Sequence, residues 1–203
     1  IRPASQEFLK SLRELCDEHD LLLMFDEVQC GVGRSGTLFA HEHYAIEPDV
    51  MAIAKGLGGG FPVGACLANE AVSSSMQFGS HGSTFGGNPL AMAVADAVLD
   101  LVLEPSLLKD VNSKASFLVK ELEALTIKYP QSISSVHGLG LMLGVKCVGE
   151  NTKLLLELRE HGLLVGKSGD NMIRLLPPLN VSQAELERAL TLIETVLQNT
   201  EVT

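Results

Sequence analysis

Positive charge is scarce in this sequence. Fifteen lysines and arginines face 25 aspartates and glutamates, a formal net charge of −10. Phosphate backbones and anionic membranes bind basic surfaces, so nucleic acid and anionic lipid are not expected partners. Long apolar runs are missing too. None reaches membrane-spanning length, and the opening residues do not read as a secretory leader. The four cysteines, Cys16, Cys30, Cys66 and Cys147, have no paired spacing. That argues against a disulfide framework or a zinc site and fits reduced thiols in the cytoplasm. Convincing repeats and low-complexity stretches are absent. So is an initiator methionine: the chain opens Ile1-Arg2-Pro3, and the expectation is the later part of a longer polypeptide.

What is present is enough apolar material for a substantial core, 46% of 203 residues. The pattern predicts an amphipathic helix from about Ser5 to His19, with Phe8, Leu12, Leu15 and Cys16 on one face. Two apolar runs follow, Leu21–Phe25 and Asp49–Ala54. Each reads as a strand of a parallel sheet covered on both faces. Val63–Ala68 reads as a third strand. Asn88 suits an N-cap and Pro89 a first helical turn, opening a helix over Leu90–Leu103 that is apolar nearly all round and expected to be buried. Leu108, Val111, Ala115, Leu118, Leu122 and Leu125 mark a further helix. Short strands are expected around Val136–Cys147, Leu163–Val165 and Met172–Leu176, with a helix near Thr152–His161 ended by Gly162. Ser182-Gln183-Ala184-Glu185 is a capping box opening the last helix. The expected organisation is residues 1–103, part of a large α/β domain, and residues 104–203, a small α+β domain.

Each of the first two runs ends in reactive residues: Asp26-Glu27-Val28-Gln29 after one, Lys55 after the other. Ligands of open α/β sheets bind beyond the carboxyl ends of the strands, so the two ends point to one site. A lysine that forms an imine and an acid that holds a ring nitrogen are what pyridoxal phosphate requires. Asp26 would accept a hydrogen bond from the protonated pyridine nitrogen, Gln29 would reach the ring's phenolic oxygen, and Val28 would pack on one ring face. Glu27 belongs to the same cofactor-contacting run, although an acid in its place more often serves the fold. The glycines after Lys55 would let backbone approach a flat ligand closely. Each residue also has a bland reading: Asp26 as a turn cap, Lys55 as a solvated lysine at a strand end. Ser83 and Thr84 lie in a glycine-lined loop before a helix, a setting that suits phosphate or is merely a flexible turn. Arg174, in an apolar strand, needs an anionic partner, either a substrate carboxylate or a structural acid. Cys30 reads as a small packed residue before a reactive one.

Several patterns are decoys. Gly31-Val32-Gly33-Arg34-Ser35-Gly36 matches a dinucleotide motif, but a polar segment separates it from its strand and no acid follows at the required distance. Gly56–Gly60 lacks the ending of a P-loop. Gly82–Gly86 has threonine where a hydrolase elbow needs serine. His41 and His43, two apart, make a poor metal pair on a helix.

Taken together, Asp26–Gln29, Gly31–Gly36, Ala54-Lys55-Gly56, the loop Gly82–Pro89 and Arg174–Pro178 resemble the class III (subgroup II) aminotransferases of fold-type I, over essentially the whole chain and in order. The resemblance implies pyridoxal phosphate as cofactor. It also implies a partial large domain with a mixed, mostly parallel sheet and a small C-terminal domain. Lys55 would hold the cofactor covalently and later carry a proton between the substrate carbon and the cofactor. Asp26, Val28, Gln29 and Lys55 would contact the cofactor. Thr84 would bind the cofactor phosphate of the neighbouring subunit in a homodimer. Ser83 would lie near the substrate, and Arg174 would hold the α-carboxylate of 2-oxoglutarate or glutamate. The implied reaction passes an ω-amino group to 2-oxoglutarate. The earlier half of such enzymes supplies a Ser/Gly-rich phosphate loop, an aromatic residue stacked on the ring and a second substrate arginine. None is found here, and the 203 residues alone are expected to be poorly active.

Overall fold

Ser5 opens the first helix by accepting Phe8 N–H at 3.2 Å through its Oγ, and α1 runs Gln6–Glu18. None of its residues is buried. Leu9, Leu12 and Cys16 are half-covered, while Phe8 and Leu15 face outward. The computed structural model describes residues 1–200 and divides into two units, Ala4–Leu108 and Ile1–Pro3 with the residues from Lys109 onward.

In the first unit β1 (Met24–Asp26) pairs in parallel with β2 (Val50–Ile53), and β2 pairs antiparallel with β3 (Ala65–Ala68). The expectation of strands covered on both faces is corrected. Val50, Met51 and Ile53 are buried, but Leu21, Leu22 and Met24 are exposed, as are all four residues of β3. A three-stranded sheet has a small footprint, and its core lies on one side: Phe25, Met51 and Ile53 pack with Val32, Leu57 and Ala95. A short helix, α2 (Glu70–Ser73), follows β3, capped by Asn69. α3 (Pro89–Leu103) begins as anticipated, with Asn88 Oδ1 accepting Ala91 N–H at 2.9 Å and Pro89 in the first turn. It is not buried all round. Ala91, Ala95 and Val102 are covered, while Leu90, Met92, Leu101 and Leu103 are exposed. Only one side of this helix has a packing partner within its unit.

α4 (Pro105–Lys128) buries Val111, Ala115, Leu118, Leu122 and Leu125, the stripe expected from spacing. The division between units falls inside this helix rather than between 103 and 104, because Leu107 and Leu108 still pack with the first core. The second unit holds an antiparallel sheet in the order β4–β5–β7–β6: Ile133–Leu139, Met142–Cys147, Met172–Leu175 and Gly166–Ser168. The strand expected at Leu163–Val165 forms later, at Gly166–Ser168, and leaves Leu164 exposed. α5 (Asn151–Glu160) and α6 (Gln183–Thr200) complete the unit, with Leu158, Leu186, Val196 and Leu197 in one core with the sheet. The capping box is present: Glu185 Oε2 accepts Ser182 N–H at 2.7 Å, and Glu185 N–H reaches Ser182 Oγ at 3.2 Å. No helix among the described residues is long and apolar enough to cross a membrane.

Candidate active site

The register of β1 on β2 builds the site. Asp26 is the cross-strand partner of Ala52, and Lys55 follows after only Ile53 and Ala54. Neighbouring strands lie about 4.8 Å apart, so the acid ends one strand and the lysine follows the end of the adjacent parallel strand, opening the 3₁₀ turn Lys55–Gly58. Both are exposed. Asp26 Oδ1 accepts Val28 N–H at 3.0 Å, a local turn that fixes the carboxylate; Oδ2 has no protein partner among the described residues. Lys55 makes no ion pair among the described residues and sits with φ +44°, outside the usual range for a side chain-bearing residue. An open depression beside it is lined by Ala54, Phe61, Pro62, Val63 and Gly64.

Two of the glycines after Lys55 sit in close protein packing. A Cβ on Gly56 would lie 3.3 Å from Val32 Cβ, and one on Gly58 would lie 2.9 Å from Val63 Cγ1. Gly59 and Gly60, at φ +54° and +114°, turn the chain back toward β3.

Side chains alternate along a strand, so the acid next to Asp26 points the other way. Glu27 is 3% exposed. Its carboxylate accepts Ala40 N–H at 2.6 Å and His41 N–H at 2.9 Å, and meets His41 Nδ1 at 2.9 Å. Its side-chain oxygens are thus committed to the 3₁₀ turn Ala40–Tyr44. Val28 and Gln29 stay beside Asp26, both half-buried. Burial, then the nearby Glu27 charge, raises the Cys30 thiol above its ordinary pKa, which fits a packed residue. Gly31–Gly36 is a succession of turns and opens no helix.

Ser83 and Thr84 lie in an exposed loop just before α3. Arg174, in the other unit, is half-buried on β7. Its cross-strand neighbours are glycines on both sides, Gly144 and Gly166, and a Cβ on Gly166 would lie 3.2 Å from Arg174 Nε. His81 is an exposed loop residue. His41 and His43 are engaged in the fold, His43 Nε2 lying 2.9 Å from Ser35 O.

Residues 1–197 match the Aminotransferase class-III family. The chain belongs to the class-III aminotransferases. An acetylornithine aminotransferase of Mesorhizobium japonicum is 55% identical over 193 residues, covering 95% of this chain and 48% of that protein. An acetylornithine aminotransferase of Clostridium acetobutylicum is 49% identical over 96% of this chain and 50% of its own length. The solved acetylornithine aminotransferase of Elizabethkingia anophelis superposes with a TM-score of 0.88 at 38% identity, over 96% of this chain and 50% of that one. The chain thus spans about half the length of the relatives it matches. Class-III aminotransferases depend on pyridoxal phosphate, and the residues here fit it: an exposed acid with one oxygen available and an unpaired lysine stand at neighbouring strand ends. Sequence reasoning passed over His41 and Val32 as parts of decoy patterns. The signal that could have found His41 was the pair Asp26-Glu27, since alternation forces one of two adjacent acids inward and a buried acid must find donors; Val32 carries no such signal.

Proposed function

We propose that the protein of which these residues are part transfers the ω-amino group of N-acetylornithine to 2-oxoglutarate, a step of arginine biosynthesis. The observation that carries transamination is the Asp26–Ala52 register, which brings carboxylate and lysine to one edge of the sheet. The names of the relatives at 45–55% identity support the acetylornithine substrate.

Bound there, pyridoxal phosphate supplies an electron sink for the carbanion formed at the amine-bearing carbon. Asp26 holds the pyridine nitrogen and its positive charge. Lys55 carries the cofactor and moves the proton at the substrate carbon. Val28 and Gln29 orient the ring. Arg174 grips a carboxylate by its planar fork, and Ser83 lies near the substrate. Thr84 binds the cofactor phosphate of a second subunit, so the working unit is a homodimer; its exposed loop, with Phe85 uncovered, supports this. Four free thiols and the acidic balance support a cytoplasmic enzyme with small-molecule partners rather than nucleic acid or membrane.

Borohydride reduction in the presence of pyridoxal phosphate, followed by peptide mass analysis, should place the cofactor on Lys55. A panel of acetylornithine, ornithine, succinylornithine and 4-aminobutyrate then tests the amine. No cofactor on Lys55 overturns the reading. A second reading, ornithine as the amine, has an observation of its own: the ornithine aminotransferase of Toxoplasma gondii superposes with a TM-score of 0.88 at 32% identity.

A further inference from the structure

We infer that Glu27 is a positioning residue for Lys55, acting through a turn that wedges Val32 under Gly56. The inference rests on the reading above, in which Lys55 carries the cofactor.

Glu27 makes no use of its charge toward the exposed edge. It is buried, and three nitrogens converge on its carboxylate: Ala40 N, His41 N and His41 Nδ1. A carboxylate only accepts, so His41 Nδ1 is the donor in this contact. The His41 ring is held in turn by Phe39, stacked at 5.8 Å with planes 12° apart, and by Phe25 of β1 at 6.2 Å. The main chain of Glu27 is fixed too. Its N–H donates to Ala52 O at 2.9 Å, extending the β1–β2 ladder, and its carbonyl accepts Gly31 N–H at 3.0 Å. The backbone at Gly31 passes so close that a Cβ there would lie 2.9 Å from Glu27 O and 3.1 Å from Oε2.

This winding delivers Val32 into an uncommon state. Val32 has φ +53° and is 2% exposed. A β-branched residue in the left-handed region is strained and persists only where its surroundings over-determine it. Here they do: Glu27 fixes the turn on one side, and Gly33 N–H bonds Leu38 O at 3.1 Å on the other. Val32 packs beside Gly56, the residue after Lys55, so closely that a Cβ added at Gly56 would lie 3.3 Å from Val32 Cβ, tighter than ordinary contact. Lys55 is left-handed as well. The two strained residues lie on either side of one contact, and the buried acid holds the contact shut.

The test uses the full-length protein with Glu27→Gln and Val32→Gly. The first replaces an acceptor with an amide that opposes N–H groups. The second keeps the backbone, since glycine adopts positive φ freely, and deletes the wedge. Leu57 N–H and Gly59 N–H, which bond Ala54 O at 3.0 Å and Gly56 O at 3.1 Å, report on the turn bearing Lys55. Their hydrogen exchange should accelerate roughly tenfold or more in both variants while α3 amides keep their rates. Pyridoxal phosphate should bind roughly tenfold more weakly, and the pH midpoint of its visible band should move. Unchanged exchange at Leu57 and Gly59 overturns the inference. So does a uniform rise that includes α3, which would make Glu27 a general stabiliser. Should Glu27→Gln fail to fold, Val32→Gly decides. Should the wild type take no cofactor on Lys55, the proposed function falls, and the exchange comparison alone judges the link from Glu27 to Lys55.

Discussion

Arg13 and Asp49 meet at 2.8 Å just before β2, at the end of the strand opposite Lys55. The same Asp49 oxygen accepts Leu23 N–H at 2.8 Å, and Oδ1 takes Asn69 Nδ2 at 2.9 Å. One carboxylate thus ties α1, the entry to β1, the start of β2 and the exit from β3. The Leu23 N–H, then Arg13, holds the Asp49 carboxyl below the usual carboxylate range. A depressed folded pKa gives stability that is present above the unfolded value, about 4, and lost as pH falls through the folded one. Asp49→Asn should cost about 2 kcal/mol at neutral pH, since it breaks charge-assisted bonds at a mostly covered site. Urea titrations at pH 7 and near pH 3 check this. The variant should lose less between the two pH values than the wild type.

Lys55→Ala should abolish fixation of pyridoxal phosphate by borohydride. Asp26→Asn should retain cofactor but lower turnover by roughly a hundredfold or more, with little change in KM, because it removes charge at the position where the ring nitrogen must stay protonated. Steady-state kinetics on the full-length protein separate the two.

Gly166→Leu should act on Arg174. A branched side chain would occupy the space where the guanidinium lies, 3.2 Å from the Cβ position at Nε and 3.3 Å at Nη2. If Arg174 holds the carboxylate as proposed, the expected result is a rise of roughly tenfold or more in KM for 2-oxoglutarate with modest change in kcat. An unchanged KM would remove Arg174 from the carboxylate site.

Gly138→Ala should damage the β4–β5 hairpin. Gly138 has φ +132°, and an added Cβ would lie 2.1 Å from Met142 O, a clash with backbone that only strand displacement relieves. A loss of roughly 2–4 kcal/mol in denaturant unfolding is expected.

The 203 residues expressed alone should show little transamination with added pyridoxal phosphate. Leu21, Leu22, Met24, Leu67, Phe85 and Leu90 are exposed, an apolar burden that favours self-association. Normal turnover by these residues alone would refute the expectation.

The sequence made the helices legible where their own spacing decided them. The α4 stripe from Val111 to Leu125 and the Ser182–Glu185 box are local patterns, and local patterns survive folding. Strand ends were legible too, because Asp26 and Lys55 break apolar runs. Burial was not. Leu21, Leu22 and the outer side of α3 read as core, yet coverage depends on what lies across from a residue, and composition carries no record of that. The role of Glu27 was hidden for a related reason: its donors come from Ala40 and His41, brought near only by the intervening turns.

Two adjacent acids, Asp26 at the end of β1 and Glu27 just after it, have opposite fates, the first outward and available, the second inward and fully engaged. A slip of one residue against β2 would exchange them, sealing the reactive acid inside and stranding the anchoring acid in water. The dipeptide therefore acts as a key for strand alignment: the misaligned sheet loses its chemistry and its foundation together, so correct pairing and a competent site are selected as a single event.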